Sequence, residues 1–111
     1  MNDHPKRGDI FWISLDPTVG SETQKTRPCV IISNNAQNKK SPRVIMAPIT
    51  SKVKTIYPFE AAVMVNGKEG KAMLDQIRAV DKARLTGKIT SIDILTMLEI
   101  EKALKIALAL T

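Results

Sequence analysis

At 111 residues the chain is long enough for one hydrophobic core and too short for two. Hydrophobic residues make up 43% and charged residues 25%, a balance that excludes a disordered chain. A net charge of +6 favours a polyanion (nucleic acid, an acidic partner segment or an anionic membrane) or serves as a solubilising surface. The single cysteine, Cys29, excludes an internal disulfide and fits a reducing compartment. No stretch has the charged and apolar regions of a secretory signal. The longest apolar run is far below the roughly 18 residues of a membrane span. The expectation is a cytoplasmic protein with no membrane partner.

Met1 to Arg7 is polar, contains a proline and reads as a short mobile tail. Ile10-Phe11-Trp12-Ile13-Ser14-Leu15 is short and rich in β-formers, so it predicts a strand. Asp16 to Thr26 has turn formers and no apolar period, which makes it a loop longer than most connections. Pro28 opens the next run, Cys29-Val30-Ile31-Ile32-Ser33, where its missing N–H costs least. Asn34 to Pro42 reads as a polar loop, and Arg43-Val44-Ile45-Met46-Ala47 as a third strand stopped by Pro48. Phe59–Val65 and Lys71–Ile77 flank Asn66-Gly67-Lys68-Glu69-Gly70, a hairpin signal. Short sequential strands predict a mainly β fold, a small antiparallel barrel or sandwich.

The end of the chain changes period. Thr90-Ser91-Ile92-Asp93 offers an N-cap with a carboxylate in the first turn. Met97, Ile100, Leu104 and Leu108 recur at helical spacing beside Ala103 and Ala107, with Glu99, Lys102 and Lys105 on the opposite arc. The spacing predicts a C-terminal helix with one face on the sheet. Leu95, Ile106 and Leu110 form a second stripe, either a wider core contact or a subunit contact. The domain layout is therefore one domain over 1–111, with a tail at 1–7, a β-barrel at 8–88 and a helix at 90–110.

Few groups suit chemistry. His4 alone in the tail and Cys29 alone in a strand make no metal cluster, and neither metal nor other cofactor is expected. Cys29 reads as a small buried hydrophobe. One histidine cannot supply a histidine acid/base pair, and phosphate-loop and dinucleotide fingerprints are absent. Arg27 stands just before Pro28, which holds its backbone extended. Thr50 and Ser51 follow the third strand. An Arg fork with a hydroxyl is a natural phosphate clamp. Spacing alone leans to a blander reading, Arg27 paired with Glu22 or Asp75 and Thr50 as a turn former.

Gly8-Asp9-Ile10-Phe11-Trp12, Leu15-Asp16-Pro17-Thr18-Val19-Gly20-Ser21-Glu22 and Arg27-Pro28-Cys29-Val30-Ile31-Ile32-Ser33-Asn34 resemble the opening of the MazF/PemK toxin family. Pro48-Ile49-Thr50-Ser51 and the segment from Asp75 to Leu85 are similar to its later motifs, and the terminal amphipathic helix fits as well. The similarity runs in order from about Gly8 to the end. It implies an SH3-like, plasmid-maintenance-toxin type of barrel with a C-terminal α-helix. It further implies a homodimer and ribosome-independent, sequence-specific cleavage of single-stranded RNA without metal. A cognate antitoxin with an acidic, flexible tail is implied as partner.

The resemblance casts Arg27 and Thr50 as catalytic residues. The ribose 2′-OH attacks the adjacent phosphorus, leaving a 2′,3′-cyclic phosphate or its opened 3′-phosphate and a 5′-OH. RNA brings its own nucleophile, so geometry, charge stabilisation and proton transfer suffice. Arginine surrenders a proton too reluctantly to be the natural base. Glu22 or Asp75 is the candidate proton acceptor. Some relatives use a loop histidine and an arginine two residues before the Asp75 position; Val19 and Met73 stand in those neighbourhoods here. For RNA binding, Gly20 and Ser21 suit a close loop, Ser51, Lys52 and Lys54 a basic rim, and Gln76 and Arg78 base or phosphate contacts. Tyr57 and Phe59 read as core residues or as stacking surfaces. Two rivals are a gyrase poison of the same fold, whose Trp-Gly-Ile ending is replaced here by Leu108-Ala109-Leu110-Thr111, and a non-catalytic nucleic-acid-binding module.

Overall fold

Three strands in the first half carry apolar residues at successive positions, and the fold buries both of their faces. The computed structural model describes residues 4–15 and 26–111. Among these, the strands are β1 (Asp9–Ser14), β2 (Thr26–Ile31), β3 (Arg43–Thr50), β4 (Glu60–Val65), β5 (Lys68–Met73), β6 (Arg78–Asp81) and β7 (Leu85–Ser91). The helices are α1 (Asn35–Lys40) and α2 (Ile94–Ala107). All the pairings are antiparallel, in the order β4-β5-β3-β2-β1-β7, with β6 also on β3. The sheet curls into a half-barrel, as the small antiparallel barrel with a C-terminal helix required.

Side chains alternate across a strand, so two cores form on opposite faces. Ile13, Cys29, Ile31, Val44, Met46 and Val80 pack inside the curl, with Phe11, Leu15 and Leu85 at its margin. Ile10, Val30, Ile32, Ala47 and Ile49 point the other way and meet Ala61, Val63, Ala72, Leu74 and, from α2, Ile100 and Ala103. This two-sided burial explains why β1 to β3 read as unbroken apolar runs.

Pro48 does not stop β3. It falls between Met46, the last residue paired with β6, and Ile49, the first paired with β5. The ladder on that side is already interrupted there, so a missing donor costs little. The β4–β5 hairpin closes on Asn66 and Gly67 alone, at φ +50° and +83°. That is the turn an Asn-Gly pair favours, and it lets β5 begin at Lys68 rather than Lys71.

Three further differences have local causes. Asn34 to Pro42 contains α1, started by the Asn34 side chain accepting from Gln37 N at 2.8 Å and anchored by buried Asn38. Thr90 and Ser91 belong to β7, paired with Ile10 and Asp9, so α2 starts only after Asp93. The Asp93 carboxylate caps it by accepting from Thr96 N at 2.7 Å, and hydrogen bonds from the Thr96 backbone and side chain hold its pKa below the usual range. Arg7 is no loose tail: its guanidinium donates to Ile32 O at 3.0 Å and to Glu101 at 2.6 Å.

Met97, Leu104 and Ala107 of α2 pack on the core beside Ile100 and Ala103, whereas Leu108 is exposed. The second stripe is not a wider core contact. Leu95, Ile106 and Leu110 are exposed, as are Ile94 and Leu98. No helix among the described residues is long and apolar enough to cross a membrane.

Candidate active site

The period of two continues past the point where the inner core ends. On β2, Cys29 and Ile31 face the inner core, so Arg27 shares their face; on β3, Val44 and Met46 put Pro48 and Thr50 on it. Arg27 pairs with Ile13, Thr50 pairs with Lys71, and the intervening pair Cys29 and Pro48 puts both strand ends at the same edge. Arg78 starts β6 opposite Met46. A cavity of about 310 Å³ results, lined by Leu15, Arg27, Met46, Pro48, Thr50, Met73, Gln76 and Arg78. Arg27 and Thr50, both half-buried, also line a second cavity of about 480 Å³ with Trp12, Pro28, Ser51, Lys52, Asn66, Lys68 and Glu69 among its walls. In the smaller one the two meet a second guanidinium and an amide.

Cys29 reports the field of this edge. Burial pushes its thiol up to about 12, and the positive charges of Arg27 and Arg78 both pull against that rise. Two guanidiniums from the wall of the smaller cavity thus act on one buried point. Such a concentration of positive charge suits an anion with more than one oxygen to hold. The Thr50 hydroxyl accepts from Lys52 N at 3.2 Å, which turns the chain and keeps Ser51 and Lys52 at the rim.

Arg27, Thr50, Gln76 and Arg78 therefore come together in one cavity, with Ser51 and Lys52 beside them in the next. Lys54 is exposed on the following loop and Asp75 is exposed in the 3-10 turn Leu74–Gln76, each outside the walls of both cavities. Glu22, Gly20, Ser21 and Val19 lie outside the described residues. Ion pairs among the described residues join Arg7 to Glu101, Lys71 to Glu60 and Lys88 to Asp9. Arg27 is in none of these, so the pairing with Asp75 is not formed. Among the described residues no three His, Cys, Asp or Glu side chains converge as metal ligands.

Sequence reasoning missed Trp12, Asn66, Lys68 and Met73 as cavity walls. The signal for Trp12 was its place between Phe11 and Ile13, which alternation turns away from the inner core. Tyr57 is an exposed ring rather than a core residue, stacked on half-buried Phe59 with centroids 5.4 Å apart.

Residues 6–108 match the model of the family described as PemK-like, MazF-like toxin of type II toxin-antitoxin system. The chain belongs to this family. Within it, the chain is 39% identical over 110 residues to Endoribonuclease EndoA of Bacillus subtilis (strain 168), covering 95% of each. It is 40% identical over 110 residues to Endoribonuclease MazF of Staphylococcus epidermidis, covering 95% of this chain and 92% of that one. Among solved structures it resembles a mycobacterial endoribonuclease in complex with its cognate antitoxin, at 26% identity and TM-score 0.81 over 96% of this chain and 97% of that one. The PemK/MazF-like family thus supplies relatives over nearly the whole chain.

Proposed function

We propose that this chain is the endoribonuclease toxin of a toxin–antitoxin pair, cutting single-stranded RNA at a short sequence without ribosome or metal. The observation that carries the reading is the convergence of Arg27, Thr50, Gln76 and Arg78 on one cavity at the open edge of the barrel. The substrate's 2′-oxygen forms a bond to phosphorus, the bond from phosphorus to the 5′-oxygen breaks, and that oxygen takes up a proton from solvent water as it leaves. A carboxylate, Glu22 or Asp75, receives the 2′-hydroxyl proton. Arg27 stabilises the charge of the pentavalent phosphate, with Thr50 donating to a non-bridging oxygen. Gln76 and Arg78 hold the flanking nucleotide, and Ser51, Lys52 and Lys54 its backbone. The product is a 2′,3′-cyclic phosphate or 3′-phosphate with a free 5′-OH.

The exposed leucines and isoleucines of α2 support a second copy as partner, and the +6 charge supports an antitoxin with an acidic tail. Function in the cytoplasm, where the RNA is, completes the reading. The test is incubation with a long single-stranded RNA in EDTA, with the 5′ ends of the fragments mapped. Arg27→Ala should lower kcat by about 10²–10³, the cost of removing one preorganised donor to a developing oxyanion. Cleavage that needs a divalent metal, or that persists in both Arg27→Ala and Thr50→Ala, refutes the mechanism.

A further inference from the structure

The larger cavity shares Arg27 and Thr50 with the site but has a wall the chemistry does not use. That wall is Trp12, the chain's only tryptophan and 45% exposed. Its strand neighbours explain why so large a ring stays uncovered. On β2 it faces Pro28, and on β7 it faces Gly87, which brings no side chain to lay over it. A Cβ built at Gly87 would meet nothing within 4 Å, so the space is open. The backbone beneath is pinned, with Thr86 Oγ1 donating to Trp12 O at 3.2 Å.

The rest of the cavity matches one kind of occupant. Its rim carries three cations, Arg27, Lys52 and Lys68, against a single carboxylate, Glu69. Asn66, exposed at the hairpin tip, offers an amide that both donates and accepts. Its volume, about 480 Å³, falls in the range of small-ligand sites. A flat apolar ring, a neighbouring amide and a cationic rim are what a splayed base and its phosphate require.

We propose that this cavity binds one unpaired nucleotide of the substrate, adjacent to the cleaved phosphate, with its base stacked on Trp12 and its edge met by Asn66. The assignment rests on the ribonuclease reading above and extends it to a substrate subsite. Arg27 and Thr50 stand between the two cavities, so a strand lying across them has its reacting phosphate at the shared wall.

Wild-type protein is first assayed on single-stranded RNA and its cut site mapped. A 2′-O-methyl oligonucleotide spanning that site then titrates Trp12 fluorescence, whose signal comes from this ring alone. Binding should quench it, and an abasic position beside the cut should weaken binding about tenfold. Trp12→Leu keeps an apolar side chain without a stacking face and should raise KM about tenfold, with the loss in KM rather than kcat. Trp12→Phe keeps a ring and should stay within about threefold. A wild type that cuts no RNA overturns the nuclease reading and the subsite with it, before any variant is made. A wild type that cuts, paired with a folded Trp12→Leu of unchanged KM, overturns the subsite alone. Quenching by an acidic peptide but not by the oligonucleotide also overturns it, assigning the cavity to a protein partner.

Discussion

Lys71 and Glu60 form a buried ion pair whose removal separates two physical accounts of this fold. The Lys71 ammonium lies 2.7 Å from Glu60 Oε1 and donates to Thr55 O at 2.7 Å; the side chains are only 10% and 6% exposed. Glu60 Oε1 also accepts from Tyr57 N at 3.0 Å. Lys71→Met keeps the length of the side chain but leaves a buried carboxylate holding one backbone donor. That should cost about 3–5 kcal/mol, a large part of a total stability of roughly 5–15 kcal/mol. Changing both residues to Met removes the stranded charge, so the double variant should lie within about 1 kcal/mol of wild type or above it. Burial pushes the Glu60 carboxyl up, but hydrogen bonds from Lys71 and Tyr57 and the Lys71 charge outweigh it, leaving its pKa below 4.5. A lowered folded pKa means the pair stabilises fully above that unfolded value and progressively less as pH falls through the folded one. Urea denaturation followed by circular dichroism at pH 7, repeated at several lower pH values, measures both effects. The acid loss should be smaller in the double variant. A Lys71→Met cost under about 1 kcal/mol, or a double variant as weak as the single, refutes the reasoning.

Gly70→Ala should lower both stability and activity. A Cβ there would stand 3.0 Å from Ile49 Cγ2 and 3.2 Å from the backbone oxygen of Thr50, which cannot give way without moving Thr50 itself. The expected cost is about 1–3 kcal/mol with a lowered kcat, read by denaturation and the RNA assay; an unchanged kcat would show that Thr50 does not depend on this approach. Cys29, fully buried with its thiol at about 12, should resist iodoacetamide at pH 8 in the native protein and react once unfolded, as mass spectrometry would show. Prompt native labelling would mean that β2 opens far more readily than its burial implies.

What could be read from the sequence was what local patterns determine. Apolar runs marked β1 to β3, and Asn66-Gly67 marked a turn whose two positive φ values suit those residues. The residues of β7, Leu-Thr-Gly-Lys-Ile-Thr-Ser, gave no such signal, because it covers the curl with partly buried side chains and owes its place to pairing with β1. The short helix α1 was hidden for a related reason: a polar six-residue segment holds together through the Asn34 cap and the buried Asn38, which donates to Ser33 O at 2.9 Å. Arg27 was conspicuous before Pro28, but its partners in the cavity came from strands and a turn up to Arg78, joined by register alone. Trp12 looked like one more β-former, and only its neighbours Pro28 and Gly87 show why it is open to a ligand.

The same alternation that builds the two cores also sets where the chemistry can sit. Inside the curl, every second residue of β2 and β3 must be apolar, because a buried unpaired polar group costs more than it returns. At the edge where Ile13 pairs with Arg27, the apolar packing ends, and the next residues on that face are free to be Arg27 and Thr50. They inherit the rigidity of the strands without the need to be buried. Arg27 and Arg78 thus bring two cationic forks to one cavity, an arrangement that suits a dianionic phosphate. Because a guanidinium gives up its proton so reluctantly, this supports our proposal that Arg27 stabilises the pentavalent phosphate while a carboxylate takes the proton.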